Sequence, residues 1–528
     1  MTSLFKSTST VGGLTLISRV LGFVRDMIVA QVFGAGGAVD AFFVAFKIPN
    51  FMRRLFAEGA FSQAFVPVLV DHRQHATPEQ TRTFAAQVSG TLGGILLLIS
   101  IVGMLAAPWV VTLFAPGFRA QSDQFGLTVE LLRITFPYIL FIALTACASS
   151  VLNAHGRYAL PALTPVILNI VMIAAALWAS TWFAEPIMAL AWGVALAGVL
   201  QLLFQLPALA RMGMLARPRW AWRTAGVQRV VSLMIPTLFG ASVTQINLLI
   251  DTIIASFLAA GSVSWLYYAD RLLEFPVALI GVALGTVLLP TLAAQRSAAD
   301  GAAFSATLDW GLRWVVLTGV PATVGLCVLA SPIVITLFQY GQFTAWDARM
   351  AAWSVAAYAV GVVGFLLVKV LAPGCYARED MRAPVRAGLI AVALNIVLSL
   401  AIVGLMHYLE LPGAHAGLAL ATALAAFVNA AFLWRALRAG GLRLSPGWRR
   451  LVWQVACATV AMAALLLTAV PAEAQWLSMS ATARALHLLG WITGAAAVYF
   501  AALWLTGNKG SGFGFGVFGN PKYPKPEA

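Results

Sequence analysis

With 528 residues, 61% of them hydrophobic and only 10% charged, the chain has a mean hydropathy of +0.88 and more apolar surface than one water-soluble core can bury. That excludes an ordinary soluble enzyme and makes an all-α polytopic membrane protein the expected fold class. The 33 Lys and Arg exceed the 19 Asp and Glu for a net charge of +14, but most of this charge is spread along connectors, so membrane lipids with anionic headgroups match it and nucleic acid does not.

A span needs about 20 mostly apolar residues to cross roughly 30 Å of hydrocarbon. About fourteen stretches qualify, near 9–35, 40–70, 86–113, 127–152, 160–182, 187–210, 229–258, 263–293, 312–338, 350–377, 384–407, 414–438, 449–470 and 485–507. Span one carries Ser18, Arg19, Arg25 and Asp26; span two carries Asp40, Lys47, Arg53, Arg54 and Glu58; span eight opens with Asp270, Arg271 and Glu274. Ahead of span one, Met1 to Lys6 shows no small-residue cleavage site, which predicts that no signal peptide is removed. After the last span, Gly510 to Gly519 has no strand before it and no helix after it, so 508–528 reads as a flexible tail and not as a phosphate loop.

Connectors after even-numbered spans are rich in arginine: Arg73 and Arg82, then Arg157, then Arg211, Arg217, Arg219, Arg223 and Arg229, then Arg296, then Arg378, Arg382 and Arg386, then Arg435, Arg438, Arg443, Arg449 and Arg450. Those after odd spans hold little beyond Arg119, Arg349 and Arg484, which predicts both termini on the cytoplasmic side. Cys147, Cys327, Cys375 and Cys457 form no CxxC pair, and His72, His75, His155, His407, His415 and His487 show no ligand spacing. No cofactor, no metal-dependent catalysis and no enzyme activity are expected.

The first twelve spans repeat once. Ala107-Pro-Trp-Val-Val-Thr-Leu-Phe-Ala-Pro-Gly117 aligns on Ser331-Pro-Ile-Val-Ile-Thr-Leu-Phe-Gln-Tyr-Gly341, a displacement of 224 residues. Asp26 with Asp251, Lys47 with Arg271 and Asn169 with Asn395 recur at nearly that offset. Six spans per half give both repeats the same topology, as in transporters with parallel repeats. The expected organisation is an N-lobe over 1–211, a C-lobe over 229–438, and spans thirteen and fourteen over 449–507 outside the repeat.

The charges inside the spans are the costly feature. Each central charge costs roughly 2.5–3.5 kcal/mol on insertion scales, so these arginines must face protein or water. Asp40, Lys47 and Arg54 recur every seven residues, with Glu58 one turn on, forming one polar stripe; Arg53 lies about 100° away from it. Asp26, Asp270 and Glu274 read equally well as partners that staple helix ends. Arg19, Arg25, Arg53, Arg54, Arg271 and Lys47 outnumber the carboxylates, which predicts a cationic cavity for an anion, with guanidinium forks suited to phosphate or diphosphate.

Ser18-Arg-Val-Leu-Gly-Phe-Val-Arg-Asp26, Phe33-Gly-Ala-Gly, Asp40-Ala-Phe-Phe-Val-Ala-Phe-Lys-Ile-Pro-Asn50 and Arg53-Arg-Leu-Phe-Ala-Glu-Gly-Ala-Phe-Ser-Gln-Ala-Phe-Val-Pro67 closely resemble the MurJ (MviN) family. Tyr267-Tyr-Ala-Asp-Arg-Leu-Leu-Glu-Phe-Pro276 and Lys369-Val-Leu-Ala-Pro-Gly374 extend the likeness to the second half. That family supplies the lipid II flippases of peptidoglycan synthesis, within the multidrug, oligosaccharidyl-lipid and polysaccharide exporters. The resemblance implies fourteen helices in two six-helix lobes, with a groove for a polyprenyl tail made by the last pair. It implies alternating access in the bacterial inner membrane, with lipid II as substrate and the cell-wall synthesis machinery as further partners.

Carried over by position, the resemblance implies a substrate-binding role for Arg19, Arg25, Asp26, Asp40, Arg53 and Arg271, with Ser18 and Glu274 beside them, and it places Arg53 in the cavity. Some members are thought to bind sodium between spans seven and eleven. Here Asp251 and Asn395 stand at that site, and Ser399 replaces a second carboxylate, so at most a weak sodium site is implied. The alternatives are a flippase for another polyprenyl-diphosphate oligosaccharide, a cation-coupled multidrug exporter, which calls for an acidic cavity, and a membrane glycosyltransferase, which calls for loop-borne acidic clusters.

Overall fold

The computed structural model describes residues 2–57 and 60–507, and their side chains apart from those of 2–10, 54–57, 60, 236–248, 279, 282, 283 and 286. Glu58, the side chain of Arg54 and the glycine-rich tail therefore lie outside the described residues. Helices occupy every one of the predicted stretches. In the first half they are α1 (Thr2–Phe33), α2 (Gly37–Ala57), α3 (Ala60–His75), α4 (Pro78–Leu105), α5 (Ala107–Phe114), α6 (Ser122–Thr135), α7 (Tyr138–Ala154), α8 (Ala159–Leu177) and α9 (Met188–Arg211). The second half holds α10 (Ala225–Ala255), α11 (Ser262–Ser297), α12 (Gly301–Val328), α13 (Ala330–Phe338), α14 (Ala345–Val360), α15 (Val362–Tyr376), α16 (Arg382–Tyr408) and α17 (Ala414–Ala439). The C-terminal pair, α18 (Trp448–Ala469) and α20 (Ala481–Leu505), is joined through the single turn and a half of α19 (Glu473–Ser478).

This is an all-α polytopic membrane fold. Among the described residues, nine helical segments are long and apolar enough to cross a membrane, and α14 with α15, bent by 42°, makes a tenth. Helix starts follow local chemistry. Thr77 and Gln80 form a capping box on α4, the Thr77 amide donating to Gln80 Oε1 at 2.8 Å and the Gln80 amide to Thr77 Oγ1 at 3.3 Å. Asp300 caps α12 by accepting from the Ala303 amide at 2.8 Å. Spans three and nine are each split into a long and a short helix at matching places of the repeat. Pro108 and Pro332 stand at the restarts, where the missing N–H of proline is tolerated in a first turn.

Packing divides the chain into two compact units: residues up to Tyr268 with Phe338–Asp347, and Ala269–Leu337 with the residues from Ala348 on. In the first unit α1 lies on α8, α9 on both α7 and α8, α2 on α6, and α3 on α10. Small residues set those distances: a Cβ at Gly193 would stand 2.9 Å from that of Ala175 on α8, and one at Gly198 would meet the Tyr138 ring at 2.8 Å. In the second unit Gly361 and Gly364 bring α15 onto the backbone of α17 at Ala423 and Ala426. The α18–α20 pair packs on α12 through Leu317, Val455, Ala458, Met462 and Tyr499. The Tyr499 hydroxyl donates to the Leu317 carbonyl at 2.7 Å, and the Trp448 indole donates to Asp309 Oδ1 at 2.7 Å. Val460, Leu467, Phe500 and Trp504 are exposed, presenting apolar side chains on the pair's outward surface.

Candidate functional site

Arg25 and Asp26 sit on consecutive positions of α1 and are 4% and 2% exposed. Arg25 donates from Nε at 2.9 Å and from one terminal nitrogen at 2.6 Å to the same oxygen, Asp26 Oδ1. Its other terminal nitrogen donates to Asn169 Oδ1 on α8 at 3.1 Å. The Tyr267 hydroxyl, near the start of α11, lies 3.2 Å from both Arg25 and Asp26 Oδ1. Asn169 is itself oriented: its Nδ2 donates to the Ser18 carbonyl at 3.0 Å, and it fits over Gly22, where a Cβ would come within 3.5 Å of it. Tyr267 is backed by the Phe43 ring of α2, stacked at 3.9 Å between centroids. Three helices, α1, α8 and α11, thus converge on one guanidinium, and α2 backs one of its partners.

The stripe expected along span two divides its labour. Asp40, in the first turn of α2, turns away to the beginning of α11, accepting from the Gly261 amide at 2.7 Å and from the Ser264 amide at 2.8 Å, with the Ser264 hydroxyl as a third donor. Lys47 is half-buried and donates to Thr252 Oγ1 on α10. Arg53 is half-buried and donates to Asn50 Oδ1, one turn back, at 2.9 Å. Arg19 is exposed and makes no hydrogen bond or ion pair among the described residues. In the second unit Arg271 pairs with Glu274 at 2.7 Å, with both side chains partly open to solvent. Tyr267 and Arg271 are four residues apart on α11 and share a face.

Both copies of the repeated motif end in the first unit. A Cβ at Gly117 would stand 2.2 Å from the Ser256 carbonyl oxygen, and one at Gly341 (φ +57°) would stand 2.3 Å from that of Gln31. The Gly117 amide donates to Ser256 Oγ at 3.0 Å, and the neighbouring Gln342 amide donates to the Gln31 carbonyl at 2.9 Å. The same motif in each repeat therefore closes on the end of the other repeat's first helix.

Among the described residues no group of three or more His, Cys, Asp or Glu stands together as a metal site. Asp251 is buried in the first unit, whereas Asn395, buried in the second, accepts from Thr422 Oγ1 at 3.2 Å. Ser399 is fully buried, and its hydroxyl has no hydrogen-bond partner among the described residues.

Asn169 and Tyr267 escape a search for intramembrane charge because both are neutral. The available signals were the recurrence of Asn169 at Asn395 and the tyrosines at the head of the Tyr267 to Pro276 motif. Chemically, the cluster holds a planar cation in a dry setting with its hydrogen-bond donors already assigned. An anion that binds Arg25 must displace one of its present acceptors, which are Asp26 on α1, Asn169 and the Met172 sulfur on α8, and Tyr267 on α11.

A family model described as lipid II flippase MurJ matches residues 29–486. A probable lipid II flippase MurJ of Vibrio cholerae serotype O1 is 46% identical, with 96% of each chain covered. A lipid II flippase MurJ of Burkholderia cenocepacia is 43% identical over 96% of this chain and 98% of its own. Among solved structures, a lipid II flippase MurJ in an inward closed conformation is similar at a TM-score of 0.77 and 26% identity, covering 93% of this chain and 97% of its own. A multidrug transporter of the MATE family, inward-facing, shares the fold alone, at a TM-score of 0.65 and 11% identity. With the family model and near-full-length relatives agreeing, the chain belongs to the lipid II flippase MurJ family.

Proposed function

We propose that this protein is a lipid II flippase that moves the lipid-linked peptidoglycan precursor from the cytoplasmic to the periplasmic leaflet of the bacterial inner membrane. The observation that carries the reading is the match to lipid II flippases at 43–46% identity over nearly the full length. The mechanism is alternating access, the two halves of the repeat opening in turn to either face. Arg25, Arg53 and Arg271 meet the diphosphate, Arg19, Lys47 and Arg54 add positive charge, and Asp26, Asp40, Ser18 and Glu274 position them. Both termini are cytoplasmic, the N-lobe and C-lobe are 1–211 and 229–438, and the polyprenyl tail lies along spans thirteen and fourteen. Asp251 and Asn395 supply at most a weak sodium site. Moving one elementary charge is worth about 2.3 kcal/mol per 100 mV, so a cationic empty cavity returns inward with the membrane potential.

Depletion of this protein in its own host is expected to make lipid II accumulate in the inner leaflet and to stop cell-wall growth. Unchanged lipid II with accumulation of another polyprenyl-diphosphate oligosaccharide would assign the protein to polysaccharide export instead. De-energised cells should flip more slowly, and an undiminished rate would remove the potential from the mechanism.

A further inference from the structure

Between α9 and α10 the chain runs Leu215-Ala-Arg-Pro-Arg-Trp-Ala-Trp-Arg223, and no Asp or Glu occurs from residue 186 to residue 250. This connector is fastened along α4. The Arg219 amide donates to the Ala86 carbonyl at 2.9 Å, and the Ala221 amide donates to the hydroxyl of buried Thr91 at 3.0 Å. Two glycines of α4 make the bed: a Cβ at Gly90 would stand 2.3 Å from the Arg219 backbone, and one at Gly94 would stand 2.8 Å from the Trp220 ring. The backbone is held while the side chains stay available. Arg217, Arg219 and Arg223 are exposed, as are Trp220 at 64% and Trp222 at 43%.

The order along α4 says what belongs there. Exposed Arg82 stands one turn before Ala86, followed by the strap at Gly90 and the Trp220 ring at Gly94, and then by the exposed apolar residues Leu98, Ile101 and Leu105. Gly90, Gly94, Leu98, Ile101 and Leu105 recur at helical spacing, so the face that carries the strap continues as a bare hydrocarbon-facing stripe. Charge, then indole, then apolar surface is the sequence met on crossing a membrane interface. At the strap end of α4 the carboxylates are Glu79, about 10 Å further back than Ala86 at 1.5 Å per residue, and Asp71, which pairs with Arg229 at 3.1 Å; Asp123 and Glu130 belong to α6, which meets the far end of α4, where Arg133 donates to the Met104 carbonyl. None of these neutralises the three arginines of the strap.

We propose that the 215–223 strap and the Leu98 face of α4 form a site for one anionic phospholipid. Its phosphate, with no headgroup cation to neutralise it, meets Arg217, Arg219 and Arg223, its glycerol backbone lies at Trp220, and an acyl chain runs along Leu98, Ile101 and Leu105. The site is independent of the flippase reading.

The test uses the full-length protein in neutral detergent, titrated with phosphatidylglycerol or phosphatidylcholine carrying brominated acyl chains, with tryptophan fluorescence as readout. Brominated phosphatidylglycerol is expected to quench a component that W220F lacks, and R217Q/R219Q/R223Q should require at least about tenfold more of it. G94L, which fills the seat of the indole and keeps every arginine, should lose the component as well. The thermal midpoint in neutral detergent identifies any variant that fails to fold, in which case R219Q alone carries the comparison. Equal quenching by phosphatidylcholine, or a triple variant that titrates like the parent, overturns the proposal.

Discussion

Arg25→Ala is expected to abolish rescue of cells depleted of their own lipid II flippase while the protein still inserts. Removing one partner of a buried ion pair costs about 3–5 kcal/mol, because the other charge is left without compensation. Here that charge is Asp26, 2% exposed, which would retain the Tyr267 hydroxyl at 3.2 Å. Arg25→Lys should fail nearly as badly. One ammonium cannot span the bifurcated contact to Asp26 and the contact to Asn169 that the planar fork makes together. Two neighbours calibrate the effect. Asn169→Ala removes one acceptor and the tie to the Ser18 carbonyl, and Tyr267→Phe removes one hydroxyl; each is expected to cost about 1–3 kcal/mol and leave partial rescue.

A double variant separates binding from stapling. A buried ion pair that only holds helices together is often replaceable by apolar residues without loss. Arg25→Met with Asp26→Leu should therefore insert, show a thermal midpoint near the parent's, and still fail to rescue growth. Rescue by that double variant would make the pair a packing device and remove Arg25 from the substrate site.

What was legible in the sequence was the part that each segment determines alone. Hydropathy located the spans because each must satisfy its own backbone in hydrocarbon, and every stretch so chosen is helical. Arg25 and Asp26 stood out by their cost. Their partners did not, because Asn169 and Tyr267 reach them only once α8 lies on α1 and α11 begins beside α2. Span two shows the same limit. A helical wheel puts Asp40 and Lys47 on one stripe, yet Asp40 serves the first turn of α11 and Lys47 serves Thr252. Periodicity assigns a face but not the neighbour on it.

Asp40→Ala is expected to lower the stability of the first unit about as much as breaking the Arg25–Asp26 pair does. The first turn of a helix has amide donors with no partner inside the helix, and an anion is favoured at that end. Asp40 meets both needs of α11 from another helix, accepting from the Gly261 amide, the Ser264 amide and the Ser264 hydroxyl. Alanine leaves all three without their acceptor in a buried setting, where each stranded group costs about 1–3 kcal/mol. Relaxation recovers part of this, and a net loss of about 3–4 kcal/mol is expected, read as a lower thermal midpoint in detergent and faster proteolysis near residue 261. Asp40→Asn keeps the shape and one acceptor oxygen but not the charge, so it should fall between the two. Transport should fail in step with stability, because the turns that Asp40 anchors lead directly to Tyr267 and Arg271. A variant that keeps its thermal midpoint and loses only transport would instead place the Asp40 carboxylate against substrate.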